Sequence, residues 1–114
     1  MQSEEGALGL FQNLKEEVRR LASDPSVQEA YLRSLGTWDC LDELALEFGH
    51  SYKTLRSDNR LSPAQALTLG RIDLALARMS EDKPALWYGS EALQGPEWSE
   101  IRKLASEAVV KGDC

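Results

Sequence analysis

The amino-acid sequence predicts an all-α fold, a single compact domain of about five helices packed around a buried central helix at about residues 62–79. Three observations carry that prediction. Apolar residues recur at spacings of three and four along most of the chain, the period of one helix face. No window shows the strict alternation, or the enrichment in valine, isoleucine and threonine, that marks a strand. Proline and glycine fall between these periodic stretches, at Pro25, Gly36, Pro63 and Gly95-Pro96, where helices start and stop. At 114 residues the chain is about one domain long. A chain of this size buries roughly two-thirds of its unfolded surface, enough for one core without staples.

Residues 1–6 are polar and are expected to form a disordered N-terminus, leaving 7–112 as the helical domain. Ala7, Leu10, Phe11, Leu14, Val18, Leu21 and Ala22 form the apolar stripe of a first helix over 7–22, with Glu16 and Glu17 set against Arg19 and Arg20 on its exposed side. Asp24 and Pro25 read as the N-cap and first residue of a second helix. Its expected inward stripe is Val27, Ala30, Tyr31 and Leu35, and Gly36 ends it in the left-handed conformation. Thr37 caps a third helix over 37–55, with Asp39, Asp42 and Glu43 in its first turns, where the helix dipole favours negative charge. Trp38, Leu41, Ala45, Phe48, Tyr52 and Leu55 give it an apolar side. Gly49 lies within that pattern and marks either a break or a close contact.

The stretch Leu61–Met79 opens with Ser62-Pro63-Ala64-Gln65, which reads as N-cap, first-turn proline and capping-box glutamine. Beyond the cap, apolar residues occupy nearly every angle, interrupted by Thr68, Arg71, Asp73 and Arg78. A helix apolar on most sides needs neighbours on most sides, so it is placed at the centre of the fold. It could just span a bilayer by length, but the three charges would each be costly there, and a water-soluble core helix is the better reading. A short segment over 90–94 then precedes a last helix from Pro96 to Lys111, with Trp98, Ile101, Ala105 and Ala108 inward.

Composition narrows the function classes. The net charge of −6 and the lack of any lysine–arginine cluster argue against nucleic acid as a partner and favour a basic one. The N-terminal segment lacks the basic region and long apolar core of a signal peptide, and the two cysteines, Cys40 and Cys114, form no metal-binding or redox motif, so a cytoplasmic location is expected. Phosphate-binding loops, nucleophile elbows, zinc-protease motifs and calcium loops are all missing, and a nucleophile–histidine–acid triad could use only His50. No catalytic residue is assigned, no cofactor is expected, and enzyme activity is disfavoured.

Four sets of residues could carry a function. Asp39, Asp42, Glu43 and Glu47 on the third helix read as an acidic docking face for another protein. Glu43, Glu47 and His50 share a helix side with half of a di-iron ligand pattern, a weak metal candidate because such a site needs a second histidine. Trp87 and Tyr88 are candidate aromatic anchors for a partner. Asp73 interrupts the most apolar helix and must either be paired or line a pocket, because an unpaired buried carboxylate costs several kcal/mol. The leading expectation is a non-catalytic interaction protein, in its narrower form an acidic inhibitor or immunity-type protein for a basic partner. A small-ligand or metal-binding helical domain is the alternative. A homodimer is also open, with Leu46 and the Leu86-Trp87 pair as candidate contacts.

Overall fold

The structure, a computed structural model, describes residues 2–36, 41–82 and 90–111. These residues form five α-helices and one short 3-10 segment: α1 (Gln2–Ala22), α2 (Pro25–Ser34), α3 (Asp42–Ser57), α4 (Pro63–Asp82), the 3-10 segment Ser90–Gln94, and α5 (Pro96–Lys111). No strand occurs among them. The radius of gyration of 13.8 Å is close to the roughly 13 Å of a compact chain of this length.

α1 starts at Gln2, so its first turns run through the stretch expected to fray. Leu14, Val18 and Leu21 are fully buried, with Leu10, Phe11 and Ala22 packed at the margin of the core. α1 lies along both α3 and α5 and meets α2 at its end, whereas α4 rests on α5 and, over a shorter stretch, on α3. The element with neighbours on most sides is therefore α1.

α2 is rotated relative to its expected setting. Val27, Ala30 and Leu35 face solvent and Tyr31 is half-buried, while Gln28 and Leu32 point inward. The cause is what α2 packs against. The end of α1 presents carbonyl groups with no intrahelical partner, and the Gln28 amide satisfies them, its Nε2 donating to the carbonyl oxygens of Arg20 (3.1 Å) and Leu21 (3.0 Å). The Gln28 Oε1 in turn accepts from Arg102 of α5 at 3.4 Å, and Arg102 also donates to the Leu93 carbonyl at 2.7 Å. Gln28 thus joins α1, α2 and α5, and Arg102 extends the link to the 3-10 segment. Asp24 precedes Pro25 as expected, although its side chain makes no capping hydrogen bond. Gly36, at φ +76°, ends the helix in the left-handed region.

The expected Thr37 cap and Trp38 lie outside the described residues. Within α3 the buried side comprises Leu44, Phe48, Ser51, Tyr52 and Leu55, preceded by Leu41. Gly49 neither breaks the helix nor makes a close contact, since a Cβ there would meet nothing within 4 Å. Asn59, at φ 55°, and the Arg60 N–H to Leu55 carbonyl bond close the helix in a Schellman-type turn.

The capping box of α4 is formed as the sequence predicts. The Gln65 N–H donates to Ser62 Oγ (3.1 Å), and the Ser62 N–H donates to Gln65 Oε1 (2.8 Å). α5 buries Trp98, Ile101, Ala105 and Ala108, as its spacing predicts. What differs is the extent to which α4 is enclosed. Thr68, Leu69, Ile72, Leu76 and Met79 are buried, but Leu67 is 61% and Leu74 51% exposed. With only five helices to share, α1 takes the enclosed position and α4 keeps one face open.

Candidate functional site

α4 leaves an apolar face uncovered, marked by the exposed Leu67 and Leu74. Leu67, Gly70, Leu74 and Ala77 fall at spacings of three, four and three, and so form one line along the helix. Two grooves run between this line and α3. One, of about 380 Å³, is lined by Tyr52, Arg56, Leu67, Gly70, Asp73 and Leu74 among others. The second, of about 350 Å³, continues along Leu46, Gly49, His50, Lys53, Asp73 and Ala77. Leu46, on the α3 bank, is 60% exposed. Gly70 matters to the shape of the first groove. A Cβ at this position would sit 3.2 Å from the Tyr52 hydroxyl, so the small residue lets the two helices close at this level.

Asp73 lines both grooves and is half-buried. It takes neither of the two extremes expected of it: it makes no ion pair or side-chain hydrogen bond with any described residue, and it borders open grooves, not an enclosed cavity. Arg56 stands in the same groove, its guanidinium 6.0 Å from the Tyr52 ring centre and 3.5 Å from its hydroxyl, likewise without an ion pair among the described residues. The face is therefore apolar along its ridge, with one carboxylate and two cationic side chains, Lys53 and Arg56, in the grooves on its α3 side and the exposed Arg71 and Arg78 along its other flank.

A second polar constellation lies on the other side of α3. Glu47 is turned towards α1 and α2. Its Oε1 accepts from Arg20 at 3.0 Å, and its Oε2 accepts from the Tyr31 hydroxyl at 2.6 Å. The Arg20 guanidinium also stacks 3.7 Å above the Tyr31 ring, a cation–π contact that ties α1 to α2. Glu17 of α1 completes the group, hydrogen-bonded to the Ser51 hydroxyl, with its Oε1 buried and unpartnered among the described residues. A small recess of about 180 Å³ separates these side chains from Asn13 and Glu16. Burial pushes the Tyr31 hydroxyl up to about 12, helped by its bond to the Glu47 carboxylate. Burial likewise raises the Glu17 carboxyl; the Ser51 bond opposes that shift, and the Glu47 charge adds to it.

The sign of the Glu17 shift predicts a pH effect. A carboxyl that binds its proton more tightly in the folded state contributes stability that is fully present below its ordinary value of 4.5 and is lost as pH rises through the raised value. Glu17→Gln keeps the shape and an acceptor for Ser51 while removing the charge. The variant is expected to melt above the wild type at pH 7, by a margin that shrinks towards pH 4. Thermal melts across pH 4–8 check this, and parallel curves for the two proteins would rule it out.

These positions revise the sequence-based candidates. Glu47 is engaged internally, so the expected acidic docking face loses one member; Asp42 and Glu43 remain half-buried at the start of α3. Asp39, Trp87 and Tyr88 lie outside the described residues. Glu47 and His50 line different recesses, one towards α1 and the other towards α4, so Glu43, Glu47 and His50 do not converge on a metal. Among the described residues no group of three histidine, cysteine, aspartate or glutamate side chains is placed to hold a metal ion. None of their helices is long and apolar enough to cross a membrane.

Sequence reasoning missed Glu17, Glu47 and Ser51 as a group, although a signal was present. Glu17 falls between Leu14 and Leu21 on the inward stripe of α1, and Glu47 and Ser51 fall between Leu44 and Leu55 on that of α3. Polar residues at stripe positions on two neighbouring helices are the pattern of an interhelical polar contact. Comparisons of the chain with protein-family models, with curated proteins and with solved structures give no match.

Proposed function

We propose that this chain is a non-catalytic interaction protein whose docking surface is the outer face of α4 together with the adjoining bank of α3. The observation that carries the reading is the exposure of Leu67 and Leu74, at 61% and 51%, on a helix whose other side is core. Two large apolar side chains seven residues apart, with Gly70 and Ala77 in line, make a continuous apolar ridge flanked by charge, the anatomy of an interface with an apolar centre and a polar rim. The expected acidic docking face contributes less, because Glu47 is bound to Arg20 and Tyr31 and is not free to meet a basic partner.

The test compares two sets of variants as baits in native extracts. Leu67→Glu with Leu74→Glu disables the α4 face, and Asp42→Lys with Glu43→Lys reverses the remaining acidic end of α3. Proteins retained by the wild type and by the α3 reversal, but lost by the α4 variant, support the reading. The opposite pattern moves the surface to the acidic end of α3 and restores the inhibitor reading for a basic partner.

A further inference from the structure

We infer that the occupant of the α4 face is a second copy of this chain, with the two α4 helices packed antiparallel about a two-fold axis that passes between Gly70 and Arg71. The inference rests on the interaction reading above and names its partner. Its first support is the symmetry of the exposed ridge. Leu67 and Leu74 lie equally far to either side of the point between Gly70 and Arg71. Antiparallel pairing about that point sets Leu67 of each copy opposite Leu74 of the other and Gly70 of each opposite Arg71 of the other, with the exposed Arg71 side chains leaving the seam on the flank away from α3. The spacing of 67, 70, 74 and 77 is that of a two-helix seam, in which leucines insert beside small residues.

The second support is charge. A two-fold that swaps two antiparallel helices runs perpendicular to both, so the α3 bank of one copy lies over the α3 bank of the other. Under that operation Asp73 is carried to the level of Thr68 on the opposing helix. That level is near Arg56, which lies one turn beyond Tyr52 towards the α3–α4 connection, while Tyr52 meets α4 at Gly70. Asp73 and Arg56 have no ion-pair partner among the described residues of their own chain, and the symmetric arrangement provides one for each, twice over. An isologous interface requires this self-complementarity, whereas an unrelated partner would not.

Size sets the strength of the pairing. A helix of 20 residues is about 30 Å long, and a face two helices wide covers roughly 600 Å² per copy, below the roughly 800 Å² of a standard interface. The expected dimer is therefore a reversible one that dissociates on dilution through the micromolar range.

Sedimentation equilibrium of the purified full chain tests the inference. The wild type is expected to rise with concentration from the 12.7 kDa chain mass towards twice that value. Leu67→Glu is expected to hold the chain at the monomer mass, with an unchanged far-ultraviolet circular dichroism spectrum showing that it still folds. Asp73→Arg alone is expected to weaken association at least tenfold, and Asp73→Arg combined with Arg56→Asp to restore it. A wild type that stays monomeric up to several hundred micromolar overturns the inference while leaving the α4 face open to a different protein, which the extract comparison above reads separately. Dimerisation that survives Leu67→Glu, or that the double charge exchange fails to restore, overturns the proposed packing.

Discussion

Replacement of Gln28 by alanine is expected to cost about 2–4 kcal/mol, an effect out of proportion to a single polar side chain on a ten-residue helix. The residue is fully buried and polar, and its amide holds three elements at once. The Arg20 carbonyl would keep a second donor, the Ser23 N–H at 3.1 Å, but the Leu21 carbonyl would lose its side-chain donor. A buried carbonyl left without a donor costs about 1–3 kcal/mol, and the space vacated by the side chain adds to this. Arg102 loses an acceptor in the same step. Burial already lowers its pKa, since the interior disfavours the charged form, so losing a partner there adds to the cost. Gln28→Leu separates the polar term from the packing term. It nearly preserves volume, and is expected to destabilise almost as much as alanine if the hydrogen bonds matter. Urea unfolding followed by circular dichroism measures both, and a leucine variant as stable as the wild type would refute the role assigned to the amide.

The other large effect is expected at Trp98. Among the described residues it is the largest fully buried side chain, and it lies on the inner face of α5, the helix that packs against both α1 and α4. Trp98→Ala leaves a cavity that neighbouring helices close only in part, at a cost of about 3–5 kcal/mol. For a domain whose total stability is about 5–15 kcal/mol, that loss lowers the melting temperature by something like 15 °C or more. Trp98→Phe keeps most of the apolar volume and is expected to recover more than half of the loss. A melting temperature that falls by less than about 5 °C on substitution by alanine would mean that Trp98 does not fill the core of the fold as described above.

Both residues bear on how much of this molecule can be read from its sequence. Trp98 belonged to a stripe at regular spacing, with Ile101, Ala105 and Ala108, and that periodicity correctly assigned both the helix and its buried side. Gln28 could not be found the same way. A glutamine beside Val27 looks exposed until it is known that α2 meets the end of α1, where the need is for a donor. The same logic separates the two acidic groups. Asp42 and Glu43 stayed near the start of α3, where local reasoning placed them, while Glu47 was drawn inward by Arg20 and Tyr31, neither of which is its neighbour in sequence.

The apolar character of α4 was also legible, but its meaning was not. Composition around the helix predicted that it needs neighbours on most sides, and the folded chain provides them on one. Leu67 and Leu74 show where the remainder lies. Periodicity, caps and breakers are local properties, and by themselves they determined the all-α class, the five helices and most of their ends, because each depends on residues within a few turns of one another. Which helix became central, which polar residues turned inward and which apolar face stayed open were decided only by tertiary structure. Those outcomes depend on how five amphipathic helices share a limited inner surface, and no single helix carries that information in its own sequence.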